Sequence, residues 1–174
     1  MKTRNLFYLT FAMLFAIASF SVSCKSDDNG GGGGGAAEGT ITAKVDGTSV
    51  TTISMTTAAQ ISNGTLMVMG NDGGQSPNKA IVLTIFGFDN EGTYPIGGGA
   101  NIYNVASYTE TNASNPTNPQ VTVWQAPYDD THVGDINISE VTSTHVKGTF
   151  SFKAKSAEGS IKNVTEGAFN VKLQ

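Results

Sequence analysis

From Gly39 onward, apolar and polar positions alternate along the chain. Residues 39–45, 148–154 and 167–173 share one pattern: a glycine opens each run and apolar side chains take every second place. Those places hold Ile41, Ala43 and Val45, then Phe150, Phe152 and Ala154, then Phe169, Val171 and Leu173. Small polar residues and a lysine fill the other face. A period of two sends successive side chains to opposite faces, so each run reads as an antiparallel strand with one buried face. The outward lysine discourages edge-to-edge association.

Further strands are expected over residues 49–55, 59–62, 65–69, 102–108, 121–125 and 135–141. Asp46-Gly47 and Asn63-Gly64 are hairpin signals, the second a candidate for a type I′ turn. Residues 80–88, AIVLTIFGF, make a near-continuous apolar run, expected as a central strand covered on both faces. No window after Gly39 has a helical period, and a single turn over 56–61 is the one helical expectation. The chain is therefore expected to be all-β, an antiparallel β-sandwich or partly open barrel of about 8–10 strands with little or no helix.

The N-terminal segment follows a different pattern. Lys2 and Arg4 precede an apolar run over 6–20, broken only by Thr10 and Ser19, and Ser21-Val22-Ser23 lead into Cys24. Charged, apolar and small-residue regions in that order define a secretory signal, and the run is short of the roughly 20 apolar residues of a membrane span. Cys24 is the sole cysteine, so an intramolecular disulfide is excluded and one odd thiol is left over. Ser21-Val22-Ser23-Cys24 resembles the lipobox of bacterial lipoproteins, with Ser21 where leucine is usual. That resemblance implies removal of residues 1–23, acylation of Cys24 with palmitate-type chains, and attachment to the outer membrane at its periplasmic or outer face. Residues 24–38, with six consecutive glycines at 30–35, read as a tether with an r.m.s. span of about 20 Å. Asp27-Asp28 resembles the surface-export signal of Bacteroidota-type lipoproteins. Residues 39–174 remain for a single β domain.

Composition narrows the partners. The formal charge of −4 becomes −6 once Lys2 and Arg4 are removed, which disfavours nucleic acid and anionic lipid. With 39% hydrophobic and 14% charged residues in the whole chain, the folded part is expected to be neither disordered nor membrane-spanning. Membrane contact is thus assigned to Cys24 alone.

Recognisable catalytic chemistry is sparse. The chain has two histidines, His132 and His145, neither with a second ligand at zinc spacing. It has no G-x-S-x-G elbow, Walker loop or H-E-x-x-H motif, so neither a metal nor a cofactor is expected. Gly97-Gly98-Gly99 follows a strand signal but precedes no helix, so it lacks the helix N-terminus a phosphate cradle needs. Asn71-Asp72-Gly73-Gly74, Asp89-Asn90-Glu91-Gly92 and Asp129-Asp130 invite a calcium reading, but none has EF-hand spacing and all suit β-turns. The densest mix of rings and oxygens is Trp124, Tyr128, Asp129, Asp130 and His132, the candidate ligand-binding residues. Trp124 faces away from Val121 and Val123. An exposed Trp124–Tyr128 platform would suit sugar stacking, whereas a core-facing Trp124 would anchor the fold. Residues 112–120, polar with two prolines, form a second candidate contact loop at the other end of the same strand.

Gly-Thr-Phe-Ser-Phe-Lys-Ala at 148–154, Val-Thr-Glu-Gly-Ala-Phe-Asn-Val at 164–171 and Glu-Gly-Thr-Tyr-Pro-Ile at 91–96 resemble a family of small Bacteroidota lipoproteins classed as a domain of unknown function. The resemblance implies a β-rich envelope lipoprotein and no assigned activity. The expected function is a non-catalytic, lipid-anchored β domain that binds a protein or glycan or makes structural contacts. The rival is a small carbohydrate-active enzyme or glycan-binding accessory using loop carboxylates with Trp124 and Tyr128.

Overall fold

The computed structural model describes residues 35–74, 76–99 and 104–174. The expected signal segment, Cys24 and the tether up to residue 34 lie outside the described residues, as do Ile102 and Tyr103 at the head of the strand expected over 102–108. Eleven strands form in chain order: β1 Thr40–Val45, β2 Thr48–Thr51, β3 Ala58–Ser62, β4 Thr65–Asn71, β5 Asn78–Phe86, β6 Gly92–Ile96, β7 Val105–Asn112, β8 Gln120–Ala126, β9 Gly134–Val141, β10 His145–Ser156 and β11 Ile161–Lys172. A 3₁₀ turn at Ser54–Thr56 is the only helical element among the described residues, and it falls just before the position expected for it.

All the strands belong to one antiparallel sheet in the order β2-β1-β11-β10-β8-β7-β5-β4-β3. A branch leaves β10 through β9 to β6. The sheet curls strongly into a half-barrel. At its far end Ala59 of β3 meets Leu173 in a parallel bridge, and Gln174 N–H donates to Ala59 O at 2.9 Å. The core lies inside the curl, where Ile41, Leu66, Ile81, Leu83, Ile85 and Phe169 are essentially inaccessible.

Both hairpin signals are realised. Asp46 and Gly47 have φ of 49° and 81°, and Asn63 and Gly64 have 50° and 71°, the paired left-handed residues of a type I′ turn. β10 and β11 are twelve residues each and form the spine. In their register Gly148 stands opposite Phe169 and Phe150 opposite Gly167. Each ring lies over the glycine of the partner strand: a Cβ on Gly148 would come within 2.5 Å of the Phe169 ring, and one on Gly167 within 2.6 Å of the Phe150 ring. The Gly-x-aromatic pattern of these strands thus records a reciprocal pairing.

Three expectations need correction. β6 has no place in the set of strands expected above, although the residues before Gly97-Gly98-Gly99 carry a strand signal; its sequence, Gly-Thr-Tyr-Pro-Ile, is short and proline-bearing, and it pairs with β9 through all five residues. β5 is covered on one face only. Ile81, Leu83 and Ile85 are buried, whereas Ala80, Val82 and Thr84 are half-buried and Phe86 is 49% exposed. A single curled sheet supplies no second layer to cover the outer side. The folded part also begins before Gly39: Ala36 is buried, and Glu38 Oε1 lies 3.2 Å from His145 Nε2 and 3.3 Å from Lys172 Nζ.

Candidate functional site

β8 positions the candidate residues. Its pleat turns Val121 and Val123 outward, 58% and 45% exposed, and sends Trp124 and Ala126 into the curl. Trp124 is 7% exposed; its ring packs against Tyr108 with centroids 5.7 Å apart, and its Nε1 donates to Ser160 Oγ at 2.9 Å. The exposed Trp124–Tyr128 platform is therefore not formed. Trp124 closes the core, and Lys162 Nζ lies 5.3 Å from its ring centroid.

The other four candidates share the loop over residues 127–133. Tyr128 is exposed, and Lys155 Nζ stands 5.8 Å from its ring centroid, a cation–π contact that holds the ring against the sheet. Asp129 Oδ1 accepts from the Thr131 hydroxyl and from Thr131 N–H, the latter at 2.9 Å. These bonds hold the Asp129 carboxyl below the usual carboxylate range, with the positive charge of Lys155 adding to them. A carboxyl held so is ionised at neutral pH and does not serve there as a proton donor. Asp130 contributes its carbonyl, which accepts from Gly98 N–H at 3.2 Å and Gly99 N–H at 2.9 Å. His132 Nε2 lies 3.0 Å from Asp135 Oδ1, with both side chains about half exposed.

These contacts also explain the glycine run after β6. Gly97 has φ of 77°, and a Cβ there would collide with the Thr131 carbonyl. Val133 N–H donates to Ile96 O at 2.9 Å. The glycines let the 127–133 loop lie against residues 96–99. The structure brings Tyr128, Asp129, Asp130 and His132 onto one hydrogen-bonded surface loop and leaves Trp124 out of it.

The loop over 113–119 sits at the opposite end of β8, because Asn112 pairs with Gln120 while Ala106 pairs with Ala126. It is exposed throughout and internally bonded: Asn115 Oδ1 accepts from Thr117 N–H at 3.2 Å and from the Thr117 hydroxyl at 2.7 Å. The two loops are separate surfaces.

One constellation was not legible in the sequence. Around the Tyr108–Trp124 pair, the Tyr108 hydroxyl donates to Glu110 Oε1 at 2.7 Å, and Lys162 Nζ lies 3.1 Å from Asp46 Oδ2. Burial pushes the Tyr108 phenol well above its ordinary range, and the bond to Glu110 adds to the effect. The Asp46 carboxyl is held low by the Asn163 N–H and then by Lys162. These residues span positions 46 to 162 and meet only through the register of the sheet. Each is satisfied by another, so the cluster seals one end of the core. Among the described residues, no group of three or more His, Cys, Asp or Glu is placed to hold a metal ion.

A curled antiparallel half-barrel with loops at its ends is a β-domain scaffold. The family model for a domain of unknown function, DUF6252, matches residues 37–171, and the chain belongs to that family. No curated protein and no solved structure matches the chain.

Proposed function

We propose that the protein is a non-catalytic envelope lipoprotein, acylated at Cys24 and held at the outer membrane, whose β domain offers its loops to a protein or glycan partner. The observation that carries this reading is where the tether enters the domain. Gly39 N–H donates to Asn170 O at 2.7 Å, and Glu38 sits beside His145 and Lys172, at the start of β10 and the end of β11. The 127–133 loop emerges at the other end of the β9–β10 pairing, where Gly134 faces Phe152. Seven residues of strand separate Phe152 from His145, or about 24 Å at 3.4 Å per residue. The loop with Tyr128, Asp129, Asp130 and His132 thus lies at the end of the domain away from the point where residues 36–38 join it.

Cell fractionation tests the anchor, and protease treatment of whole cells tests its face. The wild-type chain is expected in the detergent-extracted membrane fraction and Cys24→Ser in the soluble one. A Cys24→Ser variant that still sediments with membranes would overturn the proposal.

A further inference from the structure

β8 is paired along the whole of one edge and along little of the other. All seven of its residues pair with β7, from Gln120 with Asn112 to Ala126 with Ala106. On the opposite edge β10 meets it at Lys155, opposite Gln125, and at Ser156, opposite Trp124. β10 then turns into β11 through residues 157–160, and Ser156 N–H donates to Ser160 O at 2.9 Å. Residues 120–123 therefore run on past the end of β10. Among the described residues, no strand pairs with them on that side and no loop backbone bonds to them. A strand in an antiparallel sheet directs the N–H and C=O of alternate residues to each neighbour. Every second residue of 120–123 thus aims both groups into an open slot about 14 Å long, at ~3.4 Å per residue, in line with β10.

Side chains set this edge apart. β8 carries no charged residue and no proline. Val121 and Val123 stand exposed on its outer side. Exposed Ile161 shares that side, because it lies opposite Lys155, which lies opposite Gln125. Elsewhere the sheet blunts its edges, as soluble β proteins do. β6 carries Pro95, whose carbonyl accepts from Asn104 Nδ2 at 2.9 Å. β3 is met by Leu173 and Gln174. β2 is four residues long and exposes only threonine and serine.

We infer that residues 120–123 take up an extended segment of a partner protein, which adds one strand to the sheet in the slot beyond Ser156. Main-chain hydrogen bonds hold it, and its side chains alternate, apolar beside Val121 and Val123 and polar beside Thr122. The segment is uncharged, because the nearest charges are already engaged. Glu110, opposite Thr122, accepts from the Tyr108 hydroxyl, and Lys162 is paired with Asp46. Other ligand classes lack what they need here. A glycan stacks on an exposed ring, and Trp124 is buried. Lipid chains would leave the open backbone groups without partners. This contact is additional to the 127–133 loop, which leaves β8 at its other end.

Hydrogen exchange of the full-length protein recovered from cells, read by mass spectrometry with and without a synthetic peptide, tests the inference. The probe alternates valine and threonine over six residues, with two lysines beyond a glycine for solubility. At about 1 mM it is expected to slow amide exchange over residues 120–123 at least about tenfold. The same peptide with every strand amide N-methylated keeps the side chains and loses the donors, so its protection should be at least about tenfold weaker. Val121→Lys with Val123→Lys, at positions already exposed, guards the edge with charge and should abolish the protection. If that variant does not fold, the N-methylated peptide still decides. Exchange unchanged by the peptide would overturn the inference, as would equal protection by the N-methylated form or protection at β2 in place of β8. Protection that grows with protein concentration in the absence of peptide would give the slot to a second copy and overturn it too.

Discussion

Gly148 and Gly167 have no room for a side chain. A Cβ at Gly148 would strike the Phe169 ring and the Asn137 carbonyl, and β9 and β11 clamp this residue from both sides. Gly148→Ala is expected to lower stability by about 2–4 kcal/mol, since neither a backbone carbonyl nor a buried ring can give way cheaply. Thermal denaturation checks it, with Thr149→Ala on the outer face as a near-neutral control. The glycines were visible as strand openers, but their partners were not, because register is set by residues far apart in the chain. Trp124 shows the same limit. Alternation separates it from Val121 and Val123 without saying which face is the core, and two valines against one tryptophan do not decide. Carboxylates give a second prediction. Glu38, Asp46 and Asp129 all have folded values below their ordinary 4.5, 3.8 and 3.8. A depressed carboxyl contributes stability that is present above its unfolded value and lost as pH falls through the folded one. The melting temperature should therefore decline below about pH 4, and Asp46→Asn should make that decline shallower. A melting temperature that rises on acidification would contradict these contacts.

At the level of elements, local chemistry was the most readable part. Asp46-Gly47 and Asn63-Gly64 demanded left-handed residues, and the turns formed there. β6 shows in the sequence only as a strand signal before Gly97, because Pro95 and the flanking glycines blur its pattern and its pairing with β9 is entirely long-range. The composition of β5 suggests cover on both faces, yet only its inner face is covered. The candidate site was half legible: Tyr128, Asp129, Asp130 and His132 do share a loop, but its anchoring on Gly98 and Gly99 needs β6 in place. The 113–119 loop lends itself to a direct test. Asn112 and Gln120 are already paired, so replacing the loop with an Asn-Gly turn should leave the fold intact, because a short type I′ connection suits the strands it joins. An unchanged far-UV spectrum and a melting temperature within a few degrees are expected. Collapse of the fold would mean that the Ser76–Asn112 and Ser76–Ser114 bonds carry more than a surface contact.

Across the whole molecule, one curled sheet serves two kinds of surface. The β1–β11–β10 side carries the lysines, four of them paired as Lys44–Glu166, Lys147–Glu140, Lys162–Asp46 and Lys172–Glu38. The β3–β8 side carries none outward, and residues 38 and 39 pack against the start of β10 and the end of β11. The Ala36–Glu38 contacts extend the domain into what reads as tether, so limited proteolysis should cut within the glycine run and leave a fragment that begins before Gly39. The account of function rests on Cys24, and intact-mass spectrometry of the protein recovered from cells tests it most directly. The account predicts that residues 1–23 are gone and that the mass of the new N-terminal Cys24 is raised by several acyl chains. An intact Met1 terminus, or an unmodified Cys24 thiol, would contradict it.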